Sequence, residues 1–173
     1  MGRHLVIHEQ NAVSGFTNRV LARISDRVFE AFSGTFKPSA KVIYTGNPLR
    51  EEIVALNQLT RSVSDRDRPL RLLVLGGSQG ALAINQAIPQ LIAKLPQSTR
   101  PVVVHQTGEG TFEQTKLFYQ SLAIELSEQI RLEAFIEDMP AAYSWADLVI
   151  CRSGASTVSE LAAVGLPSIL VPY

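Results

Sequence analysis

From residue 70 onward, short apolar runs alternate with longer stretches of helical spacing. The runs are rich in Val, Ile and Leu, which is typical of strands buried in a parallel sheet. The stretches between them repeat apolar residues every three or four positions, as amphipathic helices do. This part of the chain predicts strands at 70–75, 102–105, 130–135, 147–151 and 168–171, and helices at 81–95, 112–126, 139–145 and 156–164. Alternating strands and helices indicate an α/β fold with right-handed crossovers and a parallel sheet.

Two helix ends carry local signals. Thr111 with Gln114 three residues later has the spacing of a capping box, which predicts that the Thr111 side chain caps a helix. Gly165, followed by Pro167, predicts the end of the last helix, because glycine adopts the left-handed cap conformation and proline cannot continue a helix.

The first fifty residues form a separate piece. Their pattern predicts strands at 5–8, 27–32 and 41–45 and a helix at 16–24. The polar segment 61–69, which ends in proline, predicts an exposed connection. We therefore divide the chain into 1–40, the end of one α/β domain; 41–69, an interdomain segment and linker; and 70–173, a second α/β domain. The first piece has too few strands to form a sheet of its own, and the last strand is apolar with nothing predicted beside it. We therefore expect a chain that is cut at both ends.

Composition narrows the class of protein. The 173 residues are 46% hydrophobic and 18% charged, enough apolar material for a sizeable core. Lys+Arg and Asp+Glu both number 16, which argues against a nucleic-acid-binding surface. The single cysteine, Cys151, excludes an internal disulfide. No apolar run approaches the ~18 residues of a membrane span, and the polar start does not resemble a signal peptide. We expect a cytoplasmic globular protein.

Two strand-to-helix turns have the composition of phosphate sites. The first, Gly76-Gly77-Ser78-Gln79-Gly80, follows a buried strand, and glycines there allow a close backbone approach to a phosphate at a helix N-terminus. It is not the dinucleotide fingerprint, since no acidic residue ends the next strand, which disfavours NAD. The second runs from Arg152 to Glu160, with Ser153, Ser156 and Thr157 as hydroxyl donors. Glu160 there could accept both hydroxyls of a ribose.

Each of these features also has a structural explanation. A glycine cluster can be a tight turn only, Ser153 can be an N-cap, and Glu160 can favour the helix dipole. The four polar residues His8 to Asn11 at a strand end suggest a site. Arg50 can be a surface arginine, His105 is more simply a satisfied strand-end histidine, and Cys151 a buried inert thiol. No Cys and His spacing is typical of a metal site.

Taken together, the segments HEQNAVSGFTNR, TGNPLR, GGSQGA, AFIEDM, WAD and CRSGASTVSELAAVGLP resemble the bacterial peptidoglycan N-acetylglucosaminyltransferases of glycosyltransferase family 28. The resemblance covers essentially the whole chain. It implies two Rossmann-like domains of the GT-B type, here the tail of the N-terminal domain and most of the C-terminal nucleotide-sugar-binding domain. It also implies inverting transfer of N-acetylglucosamine from UDP-N-acetylglucosamine to lipid I, forming lipid II for peptidoglycan synthesis. No cofactor or metal is implied.

The resemblance assigns the binding of UDP-N-acetylglucosamine residue by residue, with the backbone of Ile136 on the uracil edge and Glu160 on the ribose. The full set is Asn11, Arg50, Ser78, Ile136, Ala155, Ser156, Thr157 and Glu160. Ser14 stands where the family commonly has proline. The family's glycine-rich N-terminal loop, with its suspected base, and its membrane-docking surface on the cytoplasmic side of the inner membrane have no counterpart here. No catalytic base is assigned, and we expect the fragment to be inactive alone.

Two alternatives stay open. The chain could be a nucleotide-sugar-binding subunit that needs a partner chain, although HEQN at 8–11 belongs to the other domain. It could also belong to another two-domain glycosyltransferase with a different donor or acceptor, which competition between UDP-, ADP- and GDP-sugars would reveal.

Overall fold

The computed structural model describes residues 3–58, 68–77 and 80–172. The chain divides into two compact units. The first comprises Met1–Arg50 with Gly154–Ser159, and the second comprises Glu51–Ser153 with Glu160–Tyr173. Among the described residues, no helix has both the length and the apolar character needed to cross a membrane. The predicted connection at 61–67 lies outside the described residues.

The first unit contains a small parallel sheet. Its strands are β1 (Val6–Glu9), β2 (Arg27–Glu30) and β3 (Val42–Tyr44), in the order β1-β2-β3. Helix α1 (Phe16–Ile24) joins β1 to β2, and its C-terminal carbonyls accept hydrogen bonds from the Lys41 ammonium, which also favours the negative end of the helix dipole. Ile7 and Val28, paired across β1 and β2, are buried.

The second unit is a five-stranded parallel sheet with helices on both faces. Its strands are β4 (Arg71–Leu75), β5 (Val102–Gln106), β6 (Ile130–Glu133), β7 (Leu148–Arg152) and β8 (Ser168–Val171), in the order β6-β5-β4-β7-β8. Its helices are α2 (Glu51–Val54), continued by a 3₁₀ turn at Ala55–Gln58, then α3 (Leu82–Lys94), α4 (Phe112–Ser121) and α5 (Met139–Trp145). The last helix, α6 (Ala155–Val164), begins in the residues of the first unit and belongs to the second unit from Glu160 onward. The prediction of an α/β fold with parallel strands is confirmed.

Successive side chains of each strand point to opposite faces of the sheet, so a hydrophobic core lies on each face. On one face Leu72, Val74 and Val103 pack with apolar residues of α3 and α4. On the other face Leu73, Leu75, Val104, Val149 and Cys151 pack with residues of α5 and α6. Burial raises the pKa of the Cys151 thiol to about 11, so the prediction of a buried inert thiol is confirmed.

Sequence reasoning missed α2. This helix has four residues, too short for helical periodicity to register, and it begins just after Pro48. Its one buried side chain, Ile53, is fully enclosed in the core of the second unit beside Leu73 and Val149. The segment 51–58 is therefore packed structure rather than an open connection.

The end of α6 follows the predicted glycine cap. Gly165 has a φ of +66°, its N–H donates to the carbonyl of Ala162 at 3.3 Å, and the N–H of Leu166 donates to that of Leu161 at 3.2 Å. This is the Schellman pattern, and Leu166 and Leu161 supply its hydrophobic contact in the core. The prediction for Gly165 is confirmed.

Two predictions about α4 are wrong. The helix ends at Ser121 rather than 126, because Ala123 adopts a φ of +53°, which no glycine signals in the sequence. The capping box does not form either, since the Thr111 side chain makes no cap hydrogen bond. Its hydroxyl instead donates to the carbonyl of Thr107 and accepts from Asn85.

Candidate functional site

The strand order of the second unit creates a switch point between β4 and β7. The chain leaves β4 toward β5 on one side, whereas β8 lies on the other side, beyond β7. Leu75 pairs with Cys151 at the carboxyl ends of the two strands, so the turns that follow them begin side by side. Open α/β sheets bind ligands in the crevice at such a point. The two turns whose sequences predict phosphate binding both start at this point.

The glycine turn after β4 has two kinds of glycine. A Cβ on Gly76 would lie 3.0 Å from the carbonyl oxygen of Gln106, and a Cβ on Gly80 would collide with the Thr107 carbonyl oxygen and with Oγ1 of Thr111. Packing therefore requires glycine at position 80, whereas a Cβ at position 76 would need its backbone neighbours to shift by a few tenths of an ångström. Gly77, with a φ of +78°, has open space where a Cβ would be. Ser78, between them, lies outside the described residues.

The turn after β7 leads directly into α6. Gly154 is in the N-cap position, since its carbonyl accepts the Val158 N–H at 2.9 Å, so Ser153 is not the N-cap. The first helical residues are Ala155, half-buried, Ser156, exposed, and Thr157, half-buried. These three predicted site residues therefore occupy the first turn of a helix, where backbone N–H groups have no partner within the helix.

Glu160 lies in the second turn of α6 and is positioned by a tyrosine. The Tyr143 hydroxyl donates to Oε2 of Glu160 at 2.9 Å. Tyr143 is 1% exposed, whereas Glu160 is half-buried, so a buried ring orients a partly accessible carboxylate. Sequence reasoning missed Tyr143, whose apolar spacing on α5 indicates only a core residue.

Ile136 lies beyond the carboxyl end of β6, two strands away from β4. It packs partly against the core and borders a cavity of about 560 Å³ that Phe135, Glu137 and Trp145 also line. Within residues 3–58, 68–77 and 80–172, no three His, Cys, Asp or Glu side chains converge in a way that could hold a metal ion.

In the first unit, the polar run after β1 is organised by Glu9. Its carboxylate accepts four hydrogen bonds at 3.0 Å, from the backbone and side chain of Asn11, the backbone of Gly15 and the side chain of Asn18. Burial raises the pKa of Glu9, but these hydrogen bonds outweigh it and lower the pKa to about 2. Asn11, an expected site residue, is exposed and fixed by Glu9. Arg50, another, is exposed and directly precedes α2.

A buried polar network lies beside the glycine turn. It consists of His105, Asn85, Tyr119, Thr107 and Thr111 and is called the His105 network below. Nδ2 of Asn85 donates to the Thr107 carbonyl at 3.0 Å, so Oδ1 of Asn85 faces Nε2 of His105, also at 3.0 Å. That ring nitrogen must donate, and Nδ1 accepts from the Tyr119 hydroxyl at 3.0 Å. The prediction that His105 is a satisfied structural histidine is confirmed.

The neutral His105 makes stability depend on pH. Burial lowers its pKa from 6.5 to about 3, so between these values the unfolded chain binds a proton that the folded chain does not. Stability is complete above pH 6.5 and falls as the pH drops toward 3. We expect the free energy of unfolding to decrease by about 1.5 kcal/mol between about pH 6.5 and 5. Urea unfolding at a series of pH values measures it.

Two substitutions isolate this effect. His105→Gln should flatten the dependence above about pH 5, where Glu9 contributes little because its own loss of stability begins near its unfolded pKa of 4.5. Ile92→Val, which shortens a buried side chain of the same hydrophobic core and changes no titrating group, should lower stability and leave the dependence unchanged. An equal slope in the His105→Gln protein would contradict the assignment.

Comparisons with known proteins agree with this architecture. Residues 71–173, more than half of the chain, match the model of the glycosyltransferase family 28 C-terminal domain. Proteins named UDP-N-acetylglucosamine–N-acetylmuramyl-(pentapeptide) pyrophosphoryl-undecaprenol N-acetylglucosamine transferase, from Chromohalobacter salexigens and Nitrosococcus oceani, are 51% and 49% identical to this chain. These alignments cover 100% and 99% of the chain and 46% of each relative.

A solved structure shows the same likeness. The crystal structure of MurG from Acinetobacter baumannii superposes with a TM-score of 0.70 at 39% identity, covering 98% of this chain and 46% of that one. The chain thus spans about half the length of the relatives it matches. Its likeness to MurG confirms the GT-B type of fold expected from the sequence. On the domain match and on the identity over its whole length, the chain belongs to glycosyltransferase family 28.

Proposed function

We propose that this chain is the nucleotide-sugar-binding part of an inverting transferase that moves N-acetylglucosamine from UDP-N-acetylglucosamine to lipid I, giving lipid II. The observation that carries the proposal is the pair of turns at the β4–β7 switch point, both opening helices. About half of the residues are identical to those of proteins named for this reaction. The product's place in peptidoglycan synthesis follows from the same name.

The chemistry requires charge stabilisation at a diphosphate. A hydroxyl of the muramoyl sugar attacks C1 of N-acetylglucosamine, the bond from C1 to the phosphate oxygen breaks, and UDP leaves with that electron pair. The hydroxyl proton passes to a base that we do not assign within this chain. The positive dipole ends of α3 and α6 stabilise the negative charge that grows on the leaving diphosphate, and the Arg152 guanidinium adds a full positive charge.

The proposed contacts extend from this diphosphate site. Glu160 accepts the ribose hydroxyls, the Ile136 backbone reads the uracil edge, and the α6 N-terminus (Ala155, Ser156 and Thr157) faces the phosphates. Glu160 is supported by its second-turn position and by Tyr143. Ser78, Asn11 and Arg50 complete the proposed donor contacts on the strength of the family resemblance alone.

The acceptor places the proposed enzyme at a membrane. Lipid I carries an undecaprenyl chain, so the complete protein must meet its substrate at the lipid surface. We propose that it is cytoplasmic and peripheral, docked on the inner face of the plasma membrane through parts outside this chain.

The nucleotide preference tests the proposal. We expect UDP to compete with UDP-N-acetylglucosamine at least about tenfold better than ADP, because a purine would leave the polar groups beside Ile136 unpaired. Calorimetric competition with UDP, ADP and GDP measures the preference, and transfer to a soluble lipid I analogue by the complete enzyme measures activity. Equal competition by ADP would point to a different donor, and product with another acceptor alone would point to a different transferase.

A further inference from the structure

The His105 network contains an unusual residue for its position. Helix α3 faces the sheet with Ile84, Ile88 and Ile92, all buried, yet Asn85 on the same helix is only 2% exposed. A buried amide is costly unless its hydrogen bonds are made. The Asn85 amide nitrogen donates to Thr107 and Thr111 in the β5–α4 connection, and its oxygen accepts from His105 near the end of β5.

The end of β5 and the β5–α4 connection contact the glycine turn at its two ends. At the start of the turn, the Gly76 N–H donates to the Gln106 carbonyl at 2.9 Å. At its end, Gly80 lies against the carbonyl of Thr107 and the hydroxyl of Thr111, the two groups to which Asn85 donates. Residues 106–111 therefore support the glycine turn, and Asn85 ties the first turn of α3 to that support.

We propose that Asn85 is a positioning residue that fixes Gly76 and Gly80, the two ends of the glycine turn where a nucleotide diphosphate binds, with His105 and Tyr119 fixing the Asn85 amide in turn. The inference rests on the proposed function, since it assumes that the turn receives the diphosphate. A binding turn whose two ends are already fixed loses little freedom when its ligand binds. Loosening Asn85 should therefore weaken the diphosphate contacts and leave the contacts to the nucleoside intact.

The ratio of UDP affinity to uridine affinity separates positioning from general stability. In the complete protein, Asn85→Ala should lower the affinity for UDP about tenfold and that for uridine less than about twofold. Asn85→Asp keeps the shape but replaces two donors by an acceptor facing the Thr107 carbonyl, so it should lose UDP affinity as well. Ile88→Ala, one turn along α3 in the apolar core, is the matched control: it should lower the melting temperature and leave the ratio unchanged.

Tyr119→Phe is the second variant, in case both Asn85 variants fail to fold. It removes one hydroxyl at the far end of the His105 network and should lower the UDP-to-uridine ratio about twofold to threefold. A ratio that stays at the wild-type value in the folded Asn85 variants, or in Tyr119→Phe where those do not fold, would overturn the inference. A wild-type protein that binds UDP no better than ADP would overturn the proposed function instead, so the two failures are distinguishable.

Discussion

Replacing Glu160 by alanine is expected to weaken UDP binding by about tenfold to a hundredfold. Hydrogen bonds to a charged carboxylate contribute about 1.5–3 kcal/mol each, and every ~1.4 kcal/mol is a tenfold change in affinity. Tyr143 holds Oε2 of Glu160 at 2.9 Å, so the carboxylate is oriented before the nucleotide arrives. Isothermal titration calorimetry of the complete enzyme with UDP gives the change directly.

Three controls show whether this loss belongs to the ribose. Glu113→Ala removes a carboxylate from the exposed first turn of α4 and should leave UDP affinity unchanged. Tyr143→Phe should cause a smaller loss, of about threefold, since it leaves the carboxylate in place. In the wild type, 2′-deoxy-UDP should bind more weakly than UDP, and Glu160→Ala should largely abolish that difference. A preserved difference would remove Glu160 from the ribose site.

Gly80→Ala is expected to destabilise the fold by about 4 kcal/mol. A φ of +80° costs an L-residue about 1–2 kcal/mol, and an inserted methyl group in a tight core costs about 1–3 kcal/mol more. The new Cβ would collide with the Thr107 carbonyl, a backbone group that the His105 network holds in place. Urea unfolding of both proteins without nucleotide measures the difference.

Gly77→Ala is the control for backbone strain. Gly77 has nearly the same φ, +78°, but no atom lies within 4 Å of its Cβ position. We expect a loss of only about 1–2 kcal/mol there. Equal losses in the two variants would show that the left-handed conformation, rather than contact with Thr107, requires Gly80.

Much of the fold was predictable because the buried strands of a parallel sheet are visible in the sequence as short apolar runs. The runs that predicted β4, β5 and β7 agree with the structure to within about one residue at each end, since strands buried in a parallel sheet are rich in Val, Ile and Leu. The run that predicted β8 agrees equally well, although most of that strand is exposed. The end of α6 was equally predictable, because the left-handed conformation of its cap residue, Gly165, favours glycine. Ala123 was not, since an alanine in the left-handed region has no such signal.

The sequence located the turns of the candidate site but not the contacts that support them. Glycines and hydroxyl residues after β4 and β7 predicted two phosphate sites, which stay a prediction, and the strand order places the ends of β4 and β7 side by side. Glu9 stood in a polar run that suggested a site, whereas its four hydrogen bonds show that it organises the turn. The partners Tyr143 and Asn85 come from other elements, at separations of 17 and 20 residues from Glu160 and His105, which no local pattern reveals.

Ile53 has a consequence for exchanging halves between related enzymes. It lies on α2, well before β4 in the chain, yet its side chain is fully buried in the same core as side chains of β4 and β7. A chimera joined at residue 70 would combine an isoleucine from one parent with a cavity shaped by the other, and a mismatch of one or two methylene groups there costs about 1–3 kcal/mol. Crossovers placed before Glu51 keep the isoleucine with the core in which it evolved.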